Sequence, residues 1–291
     1  GTNGQELWVS DGTPKGTKLV KDIWKGAGSS QIRSICTGNG MALFSATDSI
    51  NGREIWRSDG TDTGTYMVKR INRQNISSRP SHFTKVGNKL FFIADTSNRL
   101  NDQFYRNRYD YYRFYLFSHW NDSLSFGRYI TSSANDLNYT YTIGFKNKLY
   151  FNTDDYKAGE EVFYSDGTAV GTKLLKDLRP GTRDATPSNF HANGKWLYFA
   201  AWDTKSDKRV VLSDGTPDGT FFLDTGTFAD IEYPGDFMSL GDTVYFTAYS
   251  KTHSSHRKLY RTKAGSRSAE YLGLGIWPAY GARAISLSKV G

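Results

Sequence analysis

The amino-acid sequence predicts an all-β protein, a β-propeller of about six four-stranded blades. Three observations indicate this fold: a motif that recurs with a regular period, a second marker with the same spacing, and an unusual composition. The 291 residues include 19 Tyr, 18 Phe, 7 Trp and 29 Gly, which is typical of short strands joined by tight turns. No segment shows a helical period, and no apolar run approaches the roughly 18 residues that span a bilayer.

The first marker is the sequence Ser-Asp-Gly-Thr-x-x-Gly-Thr, named here the SDGT turn. It occurs four times, at residues 10–17, 58–65, 165–172 and 213–220. The interval from Asp11 to Asp59 equals the interval from Asp166 to Asp214, and it defines the period of the repeat. The interval from Asp59 to Asp166 equals two periods plus an insertion. The sequence therefore predicts a degenerate unit in the middle of a regular repeat.

The second marker is an aromatic triplet that precedes each repeat of the first motif. It reads Ala-Leu-Phe, Leu-Phe-Phe, Leu-Tyr-Phe (twice) and Val-Tyr-Phe, at residues 42–44, 90–92, 149–151, 197–199 and 244–246. An alternating stretch comes before each triplet, and another short strand follows each SDGT turn, so every unit contains four antiparallel strands. A unit of ~40–50 residues with four strands is typical of a propeller blade.

The markers predict a single repeat domain over residues 1–291. Five complete units are expected, at about residues 29–76, 77–132, 133–182, 183–228 and 229–275. Residues 1–28 supply only the last two strands of a unit, whereas the partial unit 276–291 contains Ala284–Gly291, which matches a first strand. The two termini are therefore expected to close the ring as a sixth blade. No segment supplies the aromatic second strand of that blade, so either the natural chain extends beyond these residues or the strand comes from a partner. We favour a piece of a longer repeat protein, in which a count of seven or more blades stays open.

The string Glu-Leu-Trp-x-Ser-Asp-Gly-Thr-x-x-Gly-Thr at residues 6–17 closely resembles the repeat of the ELWxxDGT family. The match is nearly complete again at 54–65 and good at 161–172, whereas Glu-Leu-Trp has become Val-Val-Leu in the copy that ends at residue 220. The resemblance implies propeller-like arrays in secreted and cell-surface proteins. It implies no common chemistry.

Charge, cysteine content and glycosylation motifs bear on the setting of the protein. The formal net charge of +8 favours acidic partners such as anionic glycans, acidic proteins or nucleic acid. Asn75, Asn121 and Asn138 begin N-glycosylation motifs, which favour a secreted or cell-surface location. The single cysteine, Cys36, excludes a disulfide framework and a cysteine-based metal cluster, and we interpret it as a buried, inert thiol.

The aspartates of the SDGT turns raise the question of a calcium site. Calcium needs several oxygen atoms that converge on one point, whereas each unit offers one Asp followed by Gly and Thr. An Asp that accepts a hydrogen bond from the backbone two residues on, followed by Gly, is typical of a tight turn. We therefore interpret these four residues as turn residues: Asp11, Asp59, Asp166 and Asp214.

Two further acidic sets recur. One follows the aromatic triplets and comprises Asp48, Asp95, Asp154, Asp155 and Asp203. The other begins the third strands, where Glu6, Glu54 and Glu161 are expected to pair across strands with Lys21, Lys69 and Lys176. The alternative is a cation site or an acid–base pair, which requires two carboxylates at a defined separation.

No catalytic centre is evident in the sequence. His253 and His256 would need further ligands to hold zinc, and His82 and His191 occupy matching places in first strands. Neither a Gly-x-Ser-x-Gly elbow nor a glycine-rich phosphate loop occurs. We therefore predict no catalytic residue, no metal site and no cofactor.

The insertion in the irregular unit is the most informative departure from the repeat. Residues 97–113 interleave four arginines with five aromatic residues, a combination that binding surfaces use. The alternative is a loop folded over its own blade, with Arg stacked on Tyr. Nucleic acid could also use such a loop, but no nucleic-acid module is present. The predicted partner contact consists of Tyr105, Arg106, Arg108, Tyr109, Tyr111, Tyr112 and Arg113.

Together these observations predict a non-enzymatic extracellular β-propeller that serves as a binding or structural module of a surface or matrix protein. Its expected partners are protein subunits of an extracellular assembly or anionic glycans, with no nucleic acid and no membrane span in this segment. The alternatives are a carbohydrate-binding lectin and a glycosidase or lyase with carboxylates at the mouth of the ring.

Overall fold

The structure is a computed structural model that describes residues 2–72, 76–95, 113–120, 123–131, 141–154, 157–224, 231–250 and 257–276. Twenty-two β-strands form the regular structure of these residues. No helix in this part of the chain is long and apolar enough to cross a membrane. The chain forms two compact units, residues 1–138 with 165–172, and residues 139–164 with 173–291.

The first unit begins with a two-stranded antiparallel sheet of β1 (Leu7–Val9) and β2 (Lys18–Lys21). A four-stranded antiparallel sheet follows, in which each strand pairs with the next: β3 (Arg33–Gly38), β4 (Met41–Asp48), β5 (Gly52–Ser58) and β6 (Tyr66–Lys69). The next four strands pair in the same order: β7 (Ser81–Val86), β8 (Lys89–Asp95), β9 (Arg113–Trp120) and β10 (Ser123–Thr131).

The second unit repeats the arrangement three times. Its first set is β11 (Thr142–Phe145), β12 (Lys148–Asp154), β13 (Glu160–Ser165) and β14 (Lys173–Lys176). Its second set is β15 (Ser188–Ala192), β16 (Leu197–Trp202), β17 (Lys208–Ser213) and β18 (Thr220–Phe222). Its third set is β19 (Ile231–Leu240), β20 (Thr243–Ser250), β21 (Arg257–Lys263) and β22 (Glu270–Ile276).

The all-β class is therefore confirmed, and the predicted four-stranded antiparallel unit is confirmed in the sheets β3–β6, β15–β18 and β19–β22. Ring closure and the number of blades stay predictions. The aromatic triplets lie in the second strand of each set, which is flanked by strands on both sides. In β4 and β16 the residues at the centre of the strand are buried on both faces. A continuous apolar run is what a strand covered on both faces requires.

Apolar residues from successive sheets form the cores. In the first unit, Leu43 and Ile55 pack with Leu90, Phe92 and Ala94 of β8. The corresponding positions of the second unit carry a matching cluster. It contains Tyr198, Val210, Val244, Phe246 and Ala248. The repeat in sequence is thus a repeat in packing.

The first strands of four sets, β3, β7, β15 and β19, each contain a bulge at a residue whose backbone is in the left-handed conformation. The residues are Ser34, His82, Asn189 and Asp236, with φ between 51° and 56°. The register of pairing with the second strand shifts at the same place in each case. A bulge of this kind bends the strand and increases its twist.

Candidate functional site

The SDGT turns carry a polar network that recurs in all four copies. In the copy at 58–65, Asp59 Oδ1 accepts a hydrogen bond from the Thr61 amide at 2.9 Å and another from the Thr61 hydroxyl at 2.7 Å. These two hydrogen bonds hold the pKa of the Asp59 carboxyl below its usual value. The Thr61 hydroxyl accepts from the amide of Gly64. The carboxylate is therefore bound to its own turn.

A second series of hydrogen bonds closes the same turn. The Gly60 amide donates to Ser58 Oγ, which lies 2.7 Å from Thr65 Oγ1, and Thr65 Oγ1 donates to the Thr61 carbonyl at 2.6 Å. Since Thr65 gives its proton to that carbonyl, Ser58 must be the donor in the Ser–Thr pair. Both side chains are buried, and both hydroxyls have hydrogen-bond partners.

The other three copies have the same geometry. The Asp oxygen accepts from the amide and the hydroxyl of the Thr two residues on in each of them, at 2.6–2.9 Å: Asp11, Asp166 and Asp214. The glycine after each Asp has φ between 89° and 96°. The interpretation of these aspartates as turn residues agrees with the structure.

The recurrent glutamates bind the backbone that leads to the next sheet. Glu54 is buried and accepts hydrogen bonds from the amides of Ile71 and Asn72 and from the hydroxyl of Ser78. Glu161 is also buried, and its Oε1 accepts from the amides of Leu178 and Arg179 at 3.0 Å. Each glutamate therefore fastens the chain after the fourth strand.

The predicted pairing of these glutamates with lysines is wrong for Glu6 and Glu161. Lys21 lies opposite Leu7 and Lys176 opposite Val162, one residue beyond the glutamate, and successive residues of a strand point to opposite faces. The two lysines instead donate to the following SDGT turn. Lys21 binds the Asp62 carbonyl, and Lys176 binds the Thr220 carbonyl.

Arg209 replaces the glutamate in the copy that ends at Thr220, since it precedes Asp214 by the same number of positions as Glu54 precedes Asp59. Its guanidinium donates to the Leu223 carbonyl at 2.9 Å and to Asp203 at 3.3 Å. The arginine donates where the glutamates accept, and its partner is a backbone carbonyl after the fourth strand instead of a backbone amide. The link to the next sheet is kept.

Of the acidic residues after the aromatic triplets, Asp48 and Asp203 close turns, and Asp154 ends β12. Asp48 Oδ1 accepts from the amides of Ile50 and Asn51, and Asp203 Oδ1 accepts from the amides of Lys205 and Asp207. The Asp95 side chain and Asp155 lie outside the described residues. Among the described residues, no group of three or more His, Cys, Asp or Glu is placed to hold a metal ion.

The remaining titratable candidates are part of the framework. His191 Nε2 lies 2.7 Å from Ser239 Oγ on the next first strand, and burial lowers the pKa of His191. The expectation that Cys36 is buried is wrong: it is only partly buried, because four of the six residues of β3 are exposed. Desolvation raises the pKa of its thiol, which makes it a weak nucleophile.

An open apolar groove runs along β1 and has a volume of about 450 Å³. Leu7, Trp8 and Val9 line it from β1, and Met41 and Ala42 line it from the β3–β4 hairpin. Asp59 and Lys85 contribute the charged groups. This set of residues is named here the β1 groove.

Trp8 is the most conspicuous side chain of the β1 groove because it is 55% exposed. The residues at its position in other copies are buried: Trp56 is 7% exposed, Phe163 1% and Val211 0%. In those sheets the aromatic second strand covers the position, as Phe44 lies opposite Trp56 and Phe199 opposite Val211. In the described residues β1 pairs only with β2, so Trp8 lacks this cover.

The predicted partner contact at 105–113 falls largely outside the described residues. Only the backbone of Arg113 is described, and it begins β9, paired with Thr131 of β10. Arg113 is thus a strand residue, whereas the sequence interpretation placed it in the loop. The asparagines of the glycosylation motifs, Asn75, Asn121 and Asn138, also lie outside the described residues.

No family model and no curated protein matches the sequence. Solved structures similar to this chain include a GH43 endo-arabinanase from Bacillus licheniformis, with a TM-score of 0.29 and 13% identity over 79% of this chain and 92% of that chain. A puromycin-hydrolyzing peptidase of Mycobacterium tuberculosis has a TM-score of 0.44 at 11% identity, over 92% of this chain and 42% of its own. An acylaminoacyl peptidase of Pyrococcus horikoshii has a TM-score of 0.43 at 13% identity, over 91% of this chain and 40% of its own.

Proposed function

We propose that this chain is a non-enzymatic binding and structural module of a secreted or cell-surface protein. The consecutive four-stranded sheets would be blades of a β-propeller of about six blades, related to the ELWxxDGT repeats. In such a module the sheets form a rigid frame, and the frame itself carries out no chemistry.

One observation carries the proposal: the recurrent carboxylates whose side chains the structure describes bind mainly the protein's own backbone. Asp59 and Asp48 close turns, and Glu54 and Glu161 fasten the chain between sheets. A general acid or a nucleophile needs to reach a substrate, whereas these groups have their hydrogen bonds within the fold. Among the exposed apolar side chains of the described residues, Trp8 lies beside a groove that a partner could enter.

Two surfaces are the candidates for partner binding. The β1 groove offers apolar side chains that a bound partner would bury. The predicted loop contact offers arginine and tyrosine at residues 105–113. The net charge of +8 favours partners with acidic surfaces, either protein subunits or anionic glycans.

The test compares three preparations of the chain: the wild type, Trp8→Ala, and a loop variant in which Arg106, Arg108 and Tyr109 are alanine. Each is applied to a glycan array and to immobilised extracellular-matrix proteins, and each is assayed against glycoside and polysaccharide substrates. We expect binding that at least one variant loses, with no turnover by any preparation.

Turnover that disappears when Asp154, Asp155 and Asp203 are together changed to asparagine would contradict the proposal and favour the glycosidase or lyase. Binding confined to neutral glycans, and lost in the loop variant, would favour the lectin.

A further inference from the structure

Within each unit, the core between successive sheets is built in the same way. The second strand of the earlier sheet contributes a large apolar side chain, which packs against the second strand of the later sheet. The contributing residues are Leu43, Tyr150 and Tyr198, and all three are at most 1% exposed. They occupy the same position of the repeat, since each precedes the aspartate of the following SDGT turn by the same interval.

The core between the β1–β2 sheet and the β3–β6 sheet lacks this side chain. There Leu7 and Ile23 pack against Phe44, Ala46 and Trp56. Leu7 matches Ile55 in the repeat and Phe44 matches Phe92, but nothing in the described residues stands where Leu43 would. The β1 groove of about 450 Å³ lies at this place.

The β1 groove follows the edge of a strand. Leu7, Trp8 and Val9 are consecutive, and their side chains alternate between the two faces of β1. A cavity that contacts all three therefore runs along the side of the strand where backbone groups face outward. Such an edge is a template for another extended segment.

Polar burial points to the same missing neighbour. Ser58 and Thr65 are 4% and 0% exposed. Their counterparts Ser10 and Thr17 make the same hydrogen bond, at 2.6 Å, but both are exposed. Ser58 lies opposite Ala42 of the second strand, whereas Ser10 has no such strand beside it in the described residues. A strand added to β1 would bury this pair together with Trp8.

We propose that the edge of β1 that carries no strand in the described residues binds an extended segment of a partner polypeptide, which adds to the sheet as an antiparallel strand. The inference rests on the proposed function as a binding module and names its partner. The occupant continues the established β1–β2 sheet in the way that β4 continues β5. It fits a peptide strand because backbone pairing and a side-chain pocket are offered together, and a glycan would use neither.

The register of the complete sheets specifies the side chains of this partner. Leu43 lies opposite Arg57 and Phe44 opposite Trp56. Val9 and Trp8 hold the positions of Arg57 and Trp56 in the first sheet, one period of the repeat earlier. The partner strand is therefore expected to place leucine or tyrosine opposite Val9 and an aromatic residue opposite Trp8. The first side chain fills the groove, and the second covers the tryptophan on the other face.

The test uses a synthetic peptide with the sequence of residues 40–48, and a control peptide with aspartate at the positions of Leu43 and Phe44. Hydrogen exchange of the complete 291-residue chain is measured with each peptide. We expect protection of the amides in Leu7–Val9 with the first peptide only. Val9→Asp should weaken its binding at least tenfold, whereas Val170→Asp should not, because Val170 is 85% exposed in another SDGT turn.

Equal protection by both peptides, or protection that leaves Leu7–Val9 unchanged, would overturn the inference. A photo-crosslinker placed at residue 8 gives an independent result. Crosslinks to residues 277–291 of the same chain, or to a second copy, would mean that the protein covers its own edge, and would also overturn it. Partner binding that survives Val9→Asp but fails in the loop variant would sink this inference and leave the proposed function standing.

Discussion

Gly64 packs so closely on the carboxylate of Asp59 that a Cβ added to the glycine would overlap the side-chain oxygens. The corresponding glycines, Gly16, Gly171 and Gly219, have the same relationship to their aspartates. The second glycine of the SDGT turn is therefore required by the space that the carboxylate occupies while it binds the Thr two residues on.

Gly64→Ala should lower the free energy of unfolding by about 1–2 kcal/mol, because the methyl group displaces Asp59 from its two hydrogen bonds with Thr61. In an Asp59→Ala background the same change should be neutral or slightly stabilising, since the overlap is gone and alanine restricts the unfolded chain. Urea unfolding of the four proteins gives the coupling energy. Equal costs in both backgrounds would contradict the steric explanation.

Gly60 provides the contrasting case, because it has a φ of 89° and no heavy atom within 4 Å of an added Cβ. Gly60→Ala should cost about 1 kcal/mol through backbone strain alone. The cost should be the same whether residue 59 is aspartate or alanine, and urea unfolding measures it. A cost that vanished with Asp59 would show that contacts, and not φ, require this glycine.

The fold was predictable where local chemistry repeats. The SDGT turns and the aromatic second strands each depend on residues within one short segment, so their spacing located the turns and central strands. The predicted Glu–Lys pairs failed because sequence spacing does not fix register, and Lys21 lies opposite Leu7. The bulges could not be predicted, because the residues that adopt the same left-handed conformation are of four different types: Ser34, His82, Asn189 and Asp236.

The candidate site was predictable only in part. The absence of a second strand beside residues 7–9 follows from counting the markers. The exposure of Trp8 depends on long-range packing, because Trp56, which is also a tryptophan at the same position of the repeat, is buried. The missing second strand was thus the sequence signal for this site, but the exposure of Trp8 and the groove beside it are known only from the structure.

The hydrogen-bonded Ser–Thr pair of the SDGT turn should contribute differently to the free energy of unfolding in different copies. Thr65→Val removes the donor to the Thr61 carbonyl and the acceptor of Ser58 in a buried place, and we expect a loss of about 1–3 kcal/mol. Thr17→Val makes the same change in an exposed turn, where water replaces the lost partners, so the loss should be below about 1 kcal/mol. Thermal unfolding monitored by circular dichroism compares the two. Equal losses would mean that burial does not set the energy.

The buried glutamates predict an unusual dependence of stability on pH. Burial raises the pKa of Glu54 to about 7 and that of Glu161 to about 8, from an ordinary 4.5. In this range the folded carboxyl keeps a proton that the unfolded one has lost, so the folded state binds more protons. The free energy of unfolding should therefore fall as the pH rises from about 4.5 to 8, by about 1.4 kcal/mol for each unit by which the pKa of a glutamate is raised.

The measurement is urea unfolding at several pH values, with Glu54→Gln as the matched variant. Glutamine does not titrate, so this variant should lose part of the slope. Its single oxygen can accept from the Ile71 amide and the Ser78 hydroxyl, which share Oε2, but the Asn72 amide on Oε1 loses its acceptor, so a uniform loss of stability is expected as well. The comparison is made as a difference, because the lowered pKa of His191 acts in the opposite direction below its ordinary value of 6.5. A variant as steep as the wild type would refute the assignment to Glu54.

Trp8 and Trp56 provide the final comparison, because they hold one position of the repeat in two environments. Trp56→Ala removes a side chain that is 7% exposed and packs with Phe44 and Ile23, and should cost about 3–5 kcal/mol. Trp8→Ala removes one that is 55% exposed, so its cost should be less than half as large. Urea unfolding followed by far-ultraviolet circular dichroism, which does not depend on tryptophan emission, measures both. A comparable loss at Trp8 would mean that its indole supports the fold, and the edge of β1 would then owe its tryptophan to stability and not to a partner.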